Sequence, residues 1–177
     1  SIELAEKIIE EKNPKLKNKK ETARMVGVGA IIFGDLSNDR VKDIEFVWEK
    51  MISFEGDTGP YVQYTHARAS SILRKAKTKP VAESDFSVFK TKEEMKLVSL
   101  LSNFPEILIK VGESYKPHIL ANYLINLAQV FNEFYQNCPV ISDKKQLMKS
   151  RLLLVECSRQ TLENGLRLLG IMAPKEM

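Results

Sequence analysis

The chain has 177 residues, with 27 Lys and Arg against 23 Asp and Glu for a formal net charge of +4, and 44% of its residues are hydrophobic. That length supports one good-sized core, with or without a small appendage, so neither disulfides nor a structural metal is needed for stability. The charge excess favours an acidic partner only weakly, no apolar run approaches the roughly 20 residues that span a bilayer, and Cys138 and Cys157 lack paired spacing, which suits a reducing cytoplasmic compartment better than a secreted scaffold.

No secretory signal precedes the first helix, and the chain enters helical sequence straight from Ser1, as expected of a portion of a longer polypeptide. Ile2, Leu4, Ala5, Ile8 and Ile9 recur at helical spacing up to Asn13-Pro14, followed by a basic connector of Lys15, Lys17, Lys19 and Lys20. Glu21 to Leu36 predicts a buried helix ending near Gly34, with Ser37-Asn38-Asp39 as the loop after it. Ile44, Phe46 and Trp48 then alternate with Glu45, Val47 and Glu49, the period of a short half-buried strand.

From Pro60 onward the pattern is helical. Pro60 follows Thr58-Gly59 and opens a helix, because proline gives up an amide that has no partner there anyway. Lys77-Thr78-Lys79-Pro80 ends it. Thr91 with Glu94 three residues later is a capping box, and Asn103 with Glu106 around Pro105 repeats the signal. Pro117 opens a longer helix with Leu120, Leu124, Leu127 and Phe131 on one face, running to Tyr135. Ser142 is expected to cap a last helix whose apolar positions Leu147, Val155, Leu162, Leu166 and Leu169 keep to one side until Gly170 closes it. These elements predict an all-α fold: an antiparallel helical bundle over residues 56–177, preceded over residues 1–55 by a helical connector with at most one or two short strands.

Gly27-Val28-Gly29 is not a dinucleotide fingerprint, since Ile32 stands where the third glycine belongs, and an ordinary helix accounts for the residues. His66, His118, Cys138 and Cys157 have no metal-ligand spacing, and no Ser or Cys sits beside a recognisable base. The histidines read as helix-surface or capping residues; no catalytic residue and no metal site are expected.

On the helix from Pro60, residues 61, 64, 68 and 75 share one narrow face at about 100° per residue. That face carries Tyr61, Tyr64, Arg68 and Lys75 beside an apolar stripe of Val62, Ala69, Leu73 and Ala76. Rings and a guanidinium next to cationic side chains suit an unstacked RNA loop, where stacking contributes about 1–3 kcal/mol per base. They suit equally well two tyrosines that flank a core with wet hydroxyls, or a helical protein-interaction module that presents a Tyr/Arg face. Arg74, Lys75, Lys77 and Lys79 make a basic helix end, a composition common on solvated surfaces.

The segment FEGDTGPYVQYTHARASSIL, Phe54 to Leu73, resembles the stretch leading into the anticodon-binding domain of arginyl-tRNA synthetases. The resemblance continues through Pro117-His118, Tyr123-Leu124, Leu127-Ala128, Phe131-Asn132 and Phe134-Tyr135 to LRLLGIMAPKEM, Leu166 to Met177. Upstream, VGVGA at Val26 to Ala30 and DIEFVWEKMISFEG at Asp43 to Gly56 resemble the region that joins the catalytic and anticodon domains. Cysteinyl-tRNA synthetases share the helical module, but Gly59-Pro60-Tyr61 points to the arginine family. The module is named for the letters D-A-L-R, and here Asn164-Gly165-Leu166-Arg167 occupies that place.

What the resemblance implies is a class I ligase of protein biosynthesis that, at full length, uses ATP with Mg to join arginine to its tRNA. Its nucleotide-binding motifs are not in this sequence, so the chain alone is expected to be inactive and to hold no cofactor. The implied partners are the anticodon arm of an arginine tRNA and the catalytic domain of the same polypeptide, with no membrane involved. Position by position, Tyr61, Tyr64, Arg68, Tyr135 and Met177 are implied as anticodon-loop contacts, with Lys75 among the nearby lysines that hold phosphate. Asp57, Thr58 and Gly59 are implied to shape the loop before the helix. Without the resemblance, Met177 reads as a frayed end.

Overall fold

The computed structural model describes residues 1–41 and 47–177. In chain order the helices are α1 (Ile2–Lys12), α2 (Lys19–Leu36), α3 (Trp48–Met51), α4 (Gly59–Ala76), α5 (Lys92–Ser102), α6 (Phe104–Ser114), α7 (Pro117–Asn137) and α8 (Lys145–Leu168), with one 3-10 turn at Phe86–Val88. The fold is all-α, as the sequence predicts. Of the expected strand, Ile44, Glu45 and Phe46 lie outside the described residues, and Trp48 and Glu49 belong to α3. Two-residue alternation over so short a run is equally compatible with one helical turn, and at Trp48 and Glu49 the turn prevails.

The main core forms around α7, which packs against α4, α5, α6 and α8 and buries Leu120, Leu124, Leu127, Phe131 and Phe134. A second, smaller core joins Ala5 and Ile9 of α1 to Ala23, Val26 and Ala30 of α2 and to Ile52. The two glycines of the VGVGA segment serve close packing. A Cβ on Gly27 would lie 2.8 Å from the backbone of Ile2, and one on Gly29 would lie 2.8 Å from Gln63 Nε2 and 3.0 Å from Ile171. Gly27 therefore lets α1 approach α2, while Gly29 lets α4 and the last segment of the chain approach it.

Helix ends show which local signals hold. The Thr91–Glu94 capping box is present in full, and α8 ends in a Schellman turn. There Gly170 takes φ 77°, Ile171 N–H donates to the Leu166 carbonyl at 2.9 Å, and Gly170 N–H donates to that of Arg167 at 3.0 Å. Two expected caps are absent. Asn103 precedes α6 but makes no side-chain cap, because its backbone is helical at φ −80°, ψ −8° and the chain runs on from α5 with hardly a break. Ser142 does not cap α8, which starts only at Lys145, and its buried Oγ has no partner among the described residues.

One end of the bundle is closed by a buried ion pair. Arg151 Nε donates to Glu94 Oε1 at 2.7 Å, Arg151 Nη1 donates to the Pro139 carbonyl, and the other Glu94 oxygen receives the amides of Lys90 and Thr91. Burial pushes the Glu94 carboxyl up, but the Thr91 amide, the Arg151 guanidinium and the Lys90 amide outweigh it and hold the group below its ordinary value.

Candidate nucleic-acid interface

Thr58 starts α4. Its Oγ1 accepts the Tyr61 amide at 3.1 Å and donates to the Ser53 carbonyl at 2.5 Å, so one hydroxyl fixes both the helix start and the preceding loop. Gly59 is buried where a Cβ would lie 2.7 Å from that of Phe33, and Asp57 accepts from Gln129 Nε2 at 3.1 Å, tying the loop to α7. Asp57, Thr58 and Gly59 thus set the position of α4 on α2 and α7. They face a separate cleft from the tyrosine flank.

Beyond that start, α4 exposes one edge of Tyr61, Tyr64 and Arg68 and buries Val62, Thr65, His66 and Ala69. Asn132 on α7 organises the edge. Arg68 Nη1 donates to Asn132 Oδ1 at 2.5 Å, and because a guanidinium can only donate, the amide's orientation is fixed. Asn132 Nδ2 then donates to the Tyr61 hydroxyl at 2.9 Å and to Thr65 Oγ1 at 3.0 Å. Arg68 Nη2 donates to the Tyr64 hydroxyl at 3.2 Å, and the guanidinium carbon lies 4.8 Å from the centre of the Tyr64 ring and 5.6 Å from that of Tyr135.

Arg68 is held entirely by neutral groups. Arg74 faces Glu176, Arg151 faces Glu94 and Arg159 faces Glu156 and Glu163, but among the described residues no carboxylate reaches Arg68. Its position is fixed by an amide, a hydroxyl and two rings, and its charge is left uncompensated. Such a group can take a phosphate oxygen or the acceptor edge of a base, with the rings beside it available for stacking.

Two adjoining grooves meet at this arginine. The larger, about 800 Å³, runs from Tyr64, Arg68 and Lys75 past Tyr135 to Ile141 and Met177. The smaller, about 530 Å³, lies between α1 and α4 and is lined by Tyr61, Tyr64, Arg68, Phe54, Asn13 and Met177. The structure therefore brings Tyr64, Arg68, Lys75, Tyr135 and Met177 to one groove, with Tyr61 in the next. Both hydroxyls accept from protein, Tyr61 from Asn132 Nδ2 and Tyr64 from Arg68 Nη2, while the Tyr61 ring packs on the main core and Tyr64 meets Phe54 edge-on at 6.2 Å.

His66 is not the helix-surface residue that its position suggests. It is fully buried, with Nδ1 2.9 Å from the Pro174 carbonyl; a carbonyl only accepts, so Nδ1 carries the hydrogen and Nε2 is left bare. Burial holds its pKa below the ordinary value, against a smaller opposing pull from the Pro174 carbonyl. Asn132 and Gln63 escape a reading from sequence, because a buried amide has no signature until the partners that satisfy it are in place. Gly165, at the departure from the D-A-L-R letters, is buried against Leu124, whose Cδ2 occupies the space a Cβ would need.

The fold and this edge define an all-α helical bundle with a half-exposed Tyr/Arg edge beside a basic helix end. Residues 62–177 match the sequence model of the DALR anticodon binding domain, and the chain belongs to that family. Over its full length it is 43% identical to the arginine–tRNA ligase of Alkaliphilus metalliredigens and 46% identical to that of Enterococcus faecalis, spanning about 31% of the length of each. Its fold superimposes on the arginyl-tRNA synthetase of Thermus thermophilus with a TM-score of 0.94 at 43% identity, over 99% of this chain and 31% of that one. The Plasmodium falciparum enzyme gives a TM-score of 0.88 at 26% identity.

Proposed function

We propose that this chain is the part of an arginine–tRNA ligase that holds the anticodon arm of an arginine tRNA, with Tyr61, Tyr64, Arg68, Tyr135 and Met177 meeting the splayed loop and Lys75 meeting a phosphate. The observation that carries this reading is Arg68, fixed by neutral partners between two grooves with its charge free. Bases stack on the exposed ring of Tyr135 and on Tyr64, their edges are read by hydrogen bonds, and phosphate contacts add salt-dependent affinity without sequence preference.

Residues 56–177 form the binding unit and residues 1–55 the connector to a catalytic domain of the same polypeptide. ATP, Mg and arginine act in that catalytic domain, in the cytoplasm, and the chain by itself does not aminoacylate. A helical protein-interaction module is the weaker reading, since an uncompensated guanidinium at the mouth of a groove favours a polyanion over an apolar partner surface.

The test is a binding titration of this chain against an arginine tRNA transcript and the same transcript with its anticodon bases exchanged, at low and moderate salt. The expected result is preference for the native anticodon at both salts. Equal, steeply salt-dependent binding to both transcripts overturns sequence reading, and no binding at low salt overturns RNA binding altogether.

A further inference from the structure

The segment after α8 has no regular secondary structure, yet it is fixed along its length. Ile171 sits in the main core and Met177 packs against the smaller one. Between them, backbone oxygens of the segment are received one after another by side chains of the helices. Gln63 Nε2 donates to Met172 at 2.7 Å, His66 Nδ1 donates to Pro174 at 2.9 Å, Arg74 Nη1 donates to Lys175 at 3.1 Å and Asn13 Nδ2 donates to Met177 at 2.9 Å. Gln63 spends its second hydrogen on the Met25 carbonyl of α2, and Gly29 of that helix leaves the room in which Gln63 and Ile171 lie.

Two of these donors stand out. Gln63 and His66 are fully buried, and Gln63 Oε1 and His66 Nε2 have no partner among the described residues. Burying a polar atom unpaired is costly, and an apolar residue of similar size would avoid that cost at both sites. What an apolar residue could not do is hold the carbonyls of Met172 and Pro174.

We propose that residues 171–177 are a strap whose attachment to Gln63 and His66 completes the RNA groove, by setting Met177 at the junction of the two grooves beside Arg68. Gln63 and His66 are then positioning residues for anticodon recognition: buried as they are, they cannot touch RNA and can act on it only through the strap. This rests on the RNA reading of the preceding section, but the attachment itself can be measured without RNA.

The experiment labels the methionine methyl groups with 13C, assigns Met177 by the loss of its signal in Met177→Ala, and follows it in His66→Leu, His66→Asn and Gln63→Met. Asn places an amide N–H close to where Nδ1 stands, so His66→Asn is expected to keep the Met177 methyl at its wild-type shift. His66→Leu and Gln63→Met are expected to move it to the sharp, unstructured position while the other methyls stay dispersed. For the arginine tRNA transcript, His66→Leu should weaken binding by the same factor as Met177→Ala, and the double variant should be no weaker than either.

An unmoved Met177 methyl in both His66→Leu and Gln63→Met overturns the strap, and Gln63→Met decides alone if His66→Leu does not fold. Full additivity in the double variant overturns the positioning role. A wild-type protein with no anticodon preference overturns the RNA reading instead, and the methyl signal still decides whether the strap is held as described.

Discussion

Arg151 and Arg68 lie in the same bundle and are both oriented by hydrogen bonds, yet they are solved in opposite ways. Arg151 is closed off: its charge is matched by Glu94 at 2.7 Å, and Glu94's other oxygen is matched by two backbone amides. Arg68 is set just as firmly, by Asn132, Tyr64 and the Tyr135 ring, with no carboxylate to neutralise it. A buried pair that satisfies itself has nothing left to offer a ligand, whereas a fixed and uncompensated cation at a groove has its whole charge to offer.

If that contrast is right, the two arginines fail in different assays. Arg151→Met leaves Glu94 buried without its cation and should lower unfolding stability by about 3–5 kcal/mol, read by denaturant titration. The pair also carries an acid dependence. Because the folded Glu94 carboxyl lies below its ordinary value, its contribution is complete above pH 4.5 and is lost as the pH falls below that. Arg68→Ala should leave the unfolding free energy within about 1 kcal/mol of wild type but weaken tRNA binding by roughly 1.5–3 kcal/mol, the worth of a charge-assisted hydrogen bond. Loss of stability without loss of RNA binding in Arg68→Ala would put it in the same class as Arg151 and remove the site assignment.

The tyrosines sharpen the comparison further. Tyr135 is 42% exposed, so Tyr135→Ala should weaken binding by about the stacking value of 1–3 kcal/mol and reduce anticodon preference with little change in stability. Tyr61 cannot be truncated so cleanly, because its ring packs on the main core and its hydroxyl accepts from Asn132. Tyr61→Phe is the informative change there: it removes one acceptor of the Asn132 amide and keeps the ring.

The bundle was largely legible from the sequence because its signals are local: apolar residues at helical spacing, prolines at helix starts, the Thr91–Glu94 box and the Gly170 turn. Where two caps fail, the cause is non-local. Asn103 is drawn into a nearly continuous α5–α6 chain, and the cap position of α8 falls two residues after Ser142, at Lys144. The Tyr61, Tyr64, Arg68 edge could be placed from 100° spacing alone. Its meaning could not, since the difference between an Arg68 paired like Arg151 and an Arg68 left free depends on which side chain of α7 faces it. That side chain is an amide and not a carboxylate. The same holds for His66, which is buried where α4 meets α8 and the segment after it, with Pro174 as its hydrogen-bond partner.

His66 itself gives a pH test of the strap side of α4. With its pKa depressed by burial, the folded protein binds the proton less well than the unfolded chain, so stability is complete above pH 6.5 and falls as the pH drops below it. One such proton can contribute a slope of at most about 1.4 kcal/mol per pH unit. His66→Asn should flatten the thermal midpoint between pH 5 and 7 relative to wild type, and an unchanged slope would mean that His66 is not held neutral in the fold.

Lys75 should give the smallest effect and the one that separates the two kinds of contact at the groove. It lines the same groove as Arg68 and Tyr135, exposed in the basic last turn of α4. A flexible ammonium in that place can neutralise a phosphate but cannot read a base edge. Lys75→Ala should therefore weaken binding to native and anticodon-exchanged transcripts by the same small factor. It should also reduce the slope of log affinity against log salt by about one. Should the loss fall on the native anticodon alone, Lys75 would belong with Arg68 among the groups that discriminate, and the line between phosphate holding and base reading on α4 would have to be drawn beyond it, toward Lys77 and Lys79.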